Sequence, residues 1–256
     1  MTCRIATIGR YTVLEALRTR LSVLATVLVC TLLAASFFVR EIAITDSARF
    51  QTAFYAASVR FGMVFVVALH VISSVSRDFQ DKGLDMVLAV DLPRSHYCLG
   101  KLAGFLAIAA GAALLAALPL FAYAAPAAVA QWVTSLAFEL ALVVSLSLFC
   151  VMTFTSLMPA ASFVVAFYLL ARAITAIRLI SSNPIAGNDT PSHTMMHMLI
   201  EGLALLVPPL GSWTRTEWLV NETARWDALG AIALHGALFV AIFSAAAIFD
   251  MQRRNL

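Results

Sequence analysis

The sequence predicts an all-α, polytopic membrane protein with six transmembrane helices, and three observations predict it. The chain of 256 residues is 62% hydrophobic and only 12% charged, about half the charged share of an ordinary soluble domain. Six separate apolar runs are each close to the roughly 20 residues needed to cross the hydrocarbon core. Most charges fall between those runs. A chain so poor in polar groups could not cover a water-facing surface. A soluble enzyme, a disordered protein and a nucleic-acid-binding domain are therefore disfavoured together, and a net charge of +3 is too small to suggest a nucleic-acid partner.

Residues 1–20 precede the first run and hold Arg4, Arg10, Arg18 and Arg20. Ile5, Ile8, Tyr11, Leu14, Leu17 and Leu21 form a stripe beside them, which predicts an interfacial amphipathic helix with snorkelling arginines. No cleavable signal peptide is expected, because the long apolar run begins only after these charges. The spans follow at 21–39, 54–75, 102–124, 132–157, 160–180 and 228–249. Each should be a helix, since backbone groups in lipid must be satisfied within the segment. With the N-terminus cytoplasmic, the inner segments hold ten basic and six acidic residues and the outer segments seven of each. The excess of basic residues inside supports cytoplasmic N- and C-termini in a bacterial cytoplasmic membrane. Trp132, Trp213, Trp218 and Trp226 fall near the outer boundary, where indoles favour the headgroup level.

Two segments between spans carry most of the remaining information. Residues 76–100 alternate Asp78, Asp81, Asp85 and Asp91 with Arg77, Lys82 and Arg94. Inside that polar frame lie Leu84, Met86, Val87, Leu88 and Val90. Part of this loop should be a short helix ending near Pro93, and its apolar residues need a partner to bury them. Residues 181–227 contain an apolar stretch at 195–207 that is too short to cross and is stopped by Pro208 and Pro209. It predicts a re-entrant or interfacial outer element before the last span.

Charge within a span usually has a reason. Glu139, Arg172 and His235 each lie about 10–12 Å from the outer end of their spans at 1.5 Å per residue. Glu139 and Arg172 occupy consecutive antiparallel spans joined by a short turn near Pro159. They are expected to form an intramembrane ion pair with His235 in the same layer, serving either as helix register or as part of a substrate path. His70 reads as an interface residue. Cys3, Cys30, Cys98 and Cys150 show no CxxC and no histidine at metal-ligand spacing, so neither a metal site nor a disulfide framework is expected. No GxxxxGK[ST], HExxH or GxSxG sequence is present, so ATP binding or hydrolytic chemistry by this chain is not expected.

The loop carries a resemblance. Its run Asp81-Lys82-Gly83-Leu84, Met86-Val87-Leu88, Leu92-Pro93-Arg94-Ser95, Tyr97 and Gly100-Lys101 resembles the segment leading into the third span of type-2 ATP-binding-cassette (ABC) transporter permeases. The run RYTVLEALR at 10–18, six spans and a short outer element before the last one are similar to the same family. The resemblance implies a non-catalytic permease subunit that pairs with a second permease copy, identical or related. Two cytoplasmic ATPase subunits would hold ATP and Mg, and the 76–100 loop would be the coupling helix seated on them. Asp81, Leu84, Met86, Val87, Leu88 and Arg94 would make that contact, and export would be the direction. Two other readings stay open. One is an ion-coupled secondary transporter or channel using the Glu139, Arg172 and His235 layer. The other is a membrane assembly scaffold without transport.

Overall fold

The computed structural model describes residues 2–44, 46–80, 94–154, 156–182, 191–221 and 226–253. Among these every regular element is helical. We number them α1 (Thr2–Arg18), α2 (Leu21–Ile42), α3 (Ser47–Gln80), α4 (Arg94–Ala117), α5 (Pro126–Phe154), α6 (Leu157–Ser182), α7 (Pro191–Leu206), α8 (Leu210–Trp213), α9 (Glu217–Val220) and α10 (Trp226–Arg253). Helices α2, α3, α4, α5, α6 and α10 are long and apolar enough to cross a membrane. They match the six runs read from the sequence, with ends displaced by a few residues. The largest displacement is in α4, which begins at Arg94 where the run begins at 102, and α3, at 34 residues, extends about 51 Å and so projects beyond a hydrocarbon core of about 30 Å.

Helix α5 is the axis of the bundle. Its apolar residues occupy the whole circumference, the pattern of a helix enclosed by others. In its most apolar window 72% of residues are buried inside the protein, against 17–50% for the other spans. Helices α3, α4, α6 and α10 pack around it. Two hydroxyls on its buried faces turn back to their own helix: Ser135 Oγ donates to the Trp132 carbonyl and Ser145 Oγ to that of Leu142. Tyr55 Oη ties α3 to α4 by donating to the Ala116 carbonyl at 2.9 Å. Beyond that point α4 tightens into a 3₁₀ turn, Leu118–Ala122, which contains Pro119.

Helix α1 packs on the bundle by its small residues and leaves part of its bulky stripe outside it, where an interfacial helix would meet lipid. Tyr11, Leu14 and Leu17 are exposed, while Thr12 and Ala16 are buried. The helix runs beside α4 on small residues, so that the two backbones approach closely. A Cβ at Gly104 would stand 2.6 Å from Thr12 Cβ and 2.8 Å from the Gly9 carbonyl oxygen, and one at Gly100 would stand 2.7 Å from Ile8 Cβ. Gly100 and Gly104 form a GxxxG pair, the spacing that lets helices meet without side chains between them. Gly104→Val is therefore expected to lower stability by about 1–3 kcal/mol through overpacking. Thermal unfolding of the detergent-solubilised protein measures this. Gly111→Ala is the comparison that should not destabilise, because a Cβ there meets nothing within 4 Å and alanine favours helix over glycine.

The tryptophans also differ from expectation. Trp132, Trp213 and Trp218 are buried in the core, and only Trp226, at 55% exposure, has the open setting of a headgroup anchor. The expected helix near Pro93 falls on residues 81–93, outside the described residues. The apolar stretch at 195–207 does form a helix, α7, which packs on α6. Its 16 residues span about 24 Å. It is held by a two-point ion pair in which Arg178 Nε and Nη2 donate to Glu201 at 3.1 and 2.8 Å.

Candidate functional site

Two buried polar centres stand out in this apolar bundle, one towards each end of the spans. The first lies beneath α8 and α9. Helix α5 brings Glu139 to the centre of the bundle, where it is 0% exposed. The neighbouring α6 presents Tyr168 and Arg172, four residues apart and so on one face. Tyr168 Oη donates to Glu139 Oε1 at 2.7 Å, and Arg172 Nη1 lies 3.6 Å from the same oxygen. A second guanidinium, Arg60 of α3, is also buried. Its carbon sits 5.3 Å from the centre of the Phe61 ring, and Phe61 meets Tyr168 edge to face.

Both arginines reach the same short stretch of backbone. Arg172 donates to the carbonyls of Leu210 and Thr214 at 2.8 and 2.9 Å, and Arg60 donates to that of Thr214 at 2.8 Å. The chain after Pro208 and Pro209 is thereby pinned into the bundle, with Leu210, Trp213, Trp218 and Leu219 buried. The fit at Gly211 is tight, since a Cβ there would come within 3.0 Å of the Arg172 carbonyl oxygen. Carbonyls at the ends of such short helices have no partner within the helix, and the guanidiniums supply donors for them. Glu139 opposes the charge that these two cations bring into the interior. Glu139 Oε2, Arg60 Nε, Thr175 Oγ1 and Thr214 Oγ1 are buried without a hydrogen-bond partner, so the centre keeps unused polar capacity.

The second centre joins α1, α3 and α4. Lys101, whose side chain is only 8% exposed, places Nζ 2.8 Å from Asp78 Oδ2 and 3.4 Å from Glu15 Oε2. Tyr97 Oη donates to Asp78 at 2.5 Å and Ser74 Oγ donates to Glu15 at 3.0 Å. The half-exposed Arg77 lies 3.5 Å from Glu15. One buried cation thus connects carboxylates from two helices while standing on a third.

The structure brings Glu139 and Arg172 together as the spacing predicted. It does not add His235 to them. That side chain is exposed, and its Nδ1 lies 2.8 Å from the Ala231 carbonyl on its own helix. Arg60 and Tyr168 were missed, although a signal for each existed: Arg60 lies within the second apolar run, and Tyr168 stands one helical turn before Arg172. His70 is buried at an interface, edge to face with Phe105. Asp81, Leu84, Met86, Val87 and Leu88 lie outside the described residues. Arg94 opens α4, and its side chain is outside the described part. Among the described residues no group of three His, Cys, Asp or Glu could hold a metal ion, and Cys30, Cys98 and Cys150 are free thiols. No protein-family model matches the chain, and no curated protein matches it in sequence.

Proposed function

We propose that this chain is the membrane-spanning permease subunit of an ABC exporter in a bacterial cytoplasmic membrane. Two copies, or one copy and a related subunit, would form the pathway, and two ATPase subunits holding ATP and Mg would drive it. The observation that carries the reading is how the resembling loop is mounted. Segment 81–93 leaves α3 just past Asp78 and enters α4 just before Tyr97 and Lys101. Those three residues belong to the charge cluster that also binds α1. A push on the loop would therefore move three helices together, without being lost in one loose turn. The apolar Leu84, Met86, Val87 and Leu88 would find their burial in a groove of the ATPase, with Asp81 and Arg94 at its rim.

In this reading α8 and α9 form a re-entrant cap over the outer end of the pathway. Arg60 and Arg172 hold the cap, and Glu139 balances their charge. The cluster favours this structural role over ion coupling, because both guanidiniums already donate to backbone carbonyls. Cargo would be amphipathic, meeting mostly aliphatic walls.

Co-expression with candidate ATPase subunits tests the proposal. The wild-type chain should retain an ATPase through purification, and Leu84→Asp/Leu88→Asp should release it while the spans stay folded. A wild-type chain that retains no ATPase removes the permease reading.

A further inference from the structure

An apolar groove of about 410 Å³ lies between α1, α2, α3 and α4, with Ala16, Leu21, Ala25, Met63, Val67 and Gly111 in its wall. That volume falls within the roughly 300–1,000 Å³ of small-molecule sites. Its α4 wall begins six residues beyond Lys101, so it lies about 9–21 Å along that helix from the charged cluster. A second hollow adjoins it and shares Leu21 and Val66. This one has a polar rim made by Thr19, Arg20, His70, Ser73 and Arg77. Arg20 is exposed and makes no ion pair or side-chain hydrogen bond among the described residues. Arg77 is half exposed, and among the described residues its ion-pair contact is the 3.5 Å one to Glu15.

We propose that the two hollows together bind one anionic phospholipid from the leaflet on the Arg20 side. Its phosphate would sit between Arg20 and Arg77, with the Ser73 and Thr19 hydroxyls beside it, and one acyl chain would fill the groove. Two observations select this occupant. Among the described residues the charge at the mouth is positive and incompletely balanced, as in basic pockets that take lipid headgroups between spans. The groove beyond it is aliphatic and lies at the depth of an acyl chain whose phosphate is level with the arginines. Gly111 is what leaves room for the chain, because a Cβ there meets nothing within 4 Å. This site is separate from the proposed ATPase contact and stands or falls without it.

The full-length protein, purified in mild detergent and titrated with phosphatidylglycerol or phosphatidylcholine, tests the proposal by native mass spectrometry. The wild type should retain one phosphatidylglycerol in preference to phosphatidylcholine. Arg20→Gln should weaken that retention about fivefold, the share of one surface arginine. Gly111→Leu, which fills open space and favours helix, should abolish it. Equal retention of the two lipids overturns the proposal, as does undiminished phosphatidylglycerol binding by Gly111→Leu. A change in oligomeric state with Gly111→Leu, lipid retention being unaltered, would assign the groove to a second copy of the chain and overturn it as well.

Discussion

Replacing Glu139 by leucine is expected to lower stability by about 3–5 kcal/mol, the usual loss when one partner of a buried ion pair is removed. The carboxylate is fully buried, and it is the anion facing Arg172 at 3.6 Å. Without it, Arg60 and Arg172 remain in the interior as two like charges, and Tyr168 loses its acceptor. Such charges are costly in a membrane bundle unless paired or supplied with carbonyls. The carbonyls of Leu210 and Thr214 already serve the two guanidiniums, and the unpartnered Thr175 and Thr214 hydroxyls are neutral acceptors that do not replace the lost charge. Glu139→Gln keeps the shape and an acceptor for Tyr168 while removing the charge, so it should fall between wild type and leucine. Arg172→Leu should also destabilise, because it leaves Glu139 with a more distant cation and frees the Leu210 carbonyl. The double variant Glu139→Leu/Arg172→Leu should be less damaged than the two single losses added together, since contacting residues are not independent. Thermal unfolding of the four proteins in detergent closes the cycle. Strict additivity would show that the pair is not coupled and that the cap rests on the arginine-to-carbonyl bonds alone.

The spans were legible because a membrane leaves the backbone few choices. An apolar run of sufficient length has to be a helix, but which span lies innermost was not read from the sequence. The pairing of Glu139 with Arg172 followed from depth and from two consecutive spans joined by a short turn near Pro159. Depth alone does not specify the side of a helix, and His235 shows the consequence. It shares the expected layer, but the neighbouring Gly236 faces Phe138 and Trp213 in the core, and one residue is a rotation of about 100°. His235 therefore points away. The tryptophans differ for the same rotational reason, since a ring at the right height can still turn inward. Helix α1 shows another limit. Its bulky stripe was the visible pattern, yet the seam with α4 is made by Gly9, Thr12 and Ala16, whose value is the small volume they occupy. That pattern has helical spacing, but it becomes informative only beside the Gly100 and Gly104 pair on the partner helix. Arg60 lies inside the second apolar run, and nothing in its own span revealed the Thr214 carbonyl, 154 residues further along.

Replacing Lys101 by methionine is expected to lower stability by about 3 kcal/mol, the lower end of the range for a broken buried pair because both carboxylates keep some contact with solvent. Methionine preserves most of the side-chain volume, and the contact with Phe105 survives as an apolar one. What disappears is the cation between Asp78 and Glu15. The two carboxylates then face each other with only the half-exposed, solvent-screened Arg77 nearby. Helix α1 loses its buried cation tie and is left with its glycine seam on α4 and the weaker contacts of Glu15 with Ser74 and Arg77 on α3. Trypsin should consequently cut more rapidly after Arg10 and Arg18, which are exposed on α1, since cleavage needs that helix to open locally. Glu15→Gln in the Lys101→Met background should restore part of the lost stability, because it removes one of the two repelling charges. Gly104→Val should also speed the cuts, but Glu15→Gln should not rescue it, which separates the electrostatic tie from the packing seam. If Lys101→Met melts like the wild type and is cleaved no faster, α1 is held by the glycine seam alone. Helices α1, α3 and α4 would then not respond as one unit, and force applied to segment 81–93 would lack a route into the bundle.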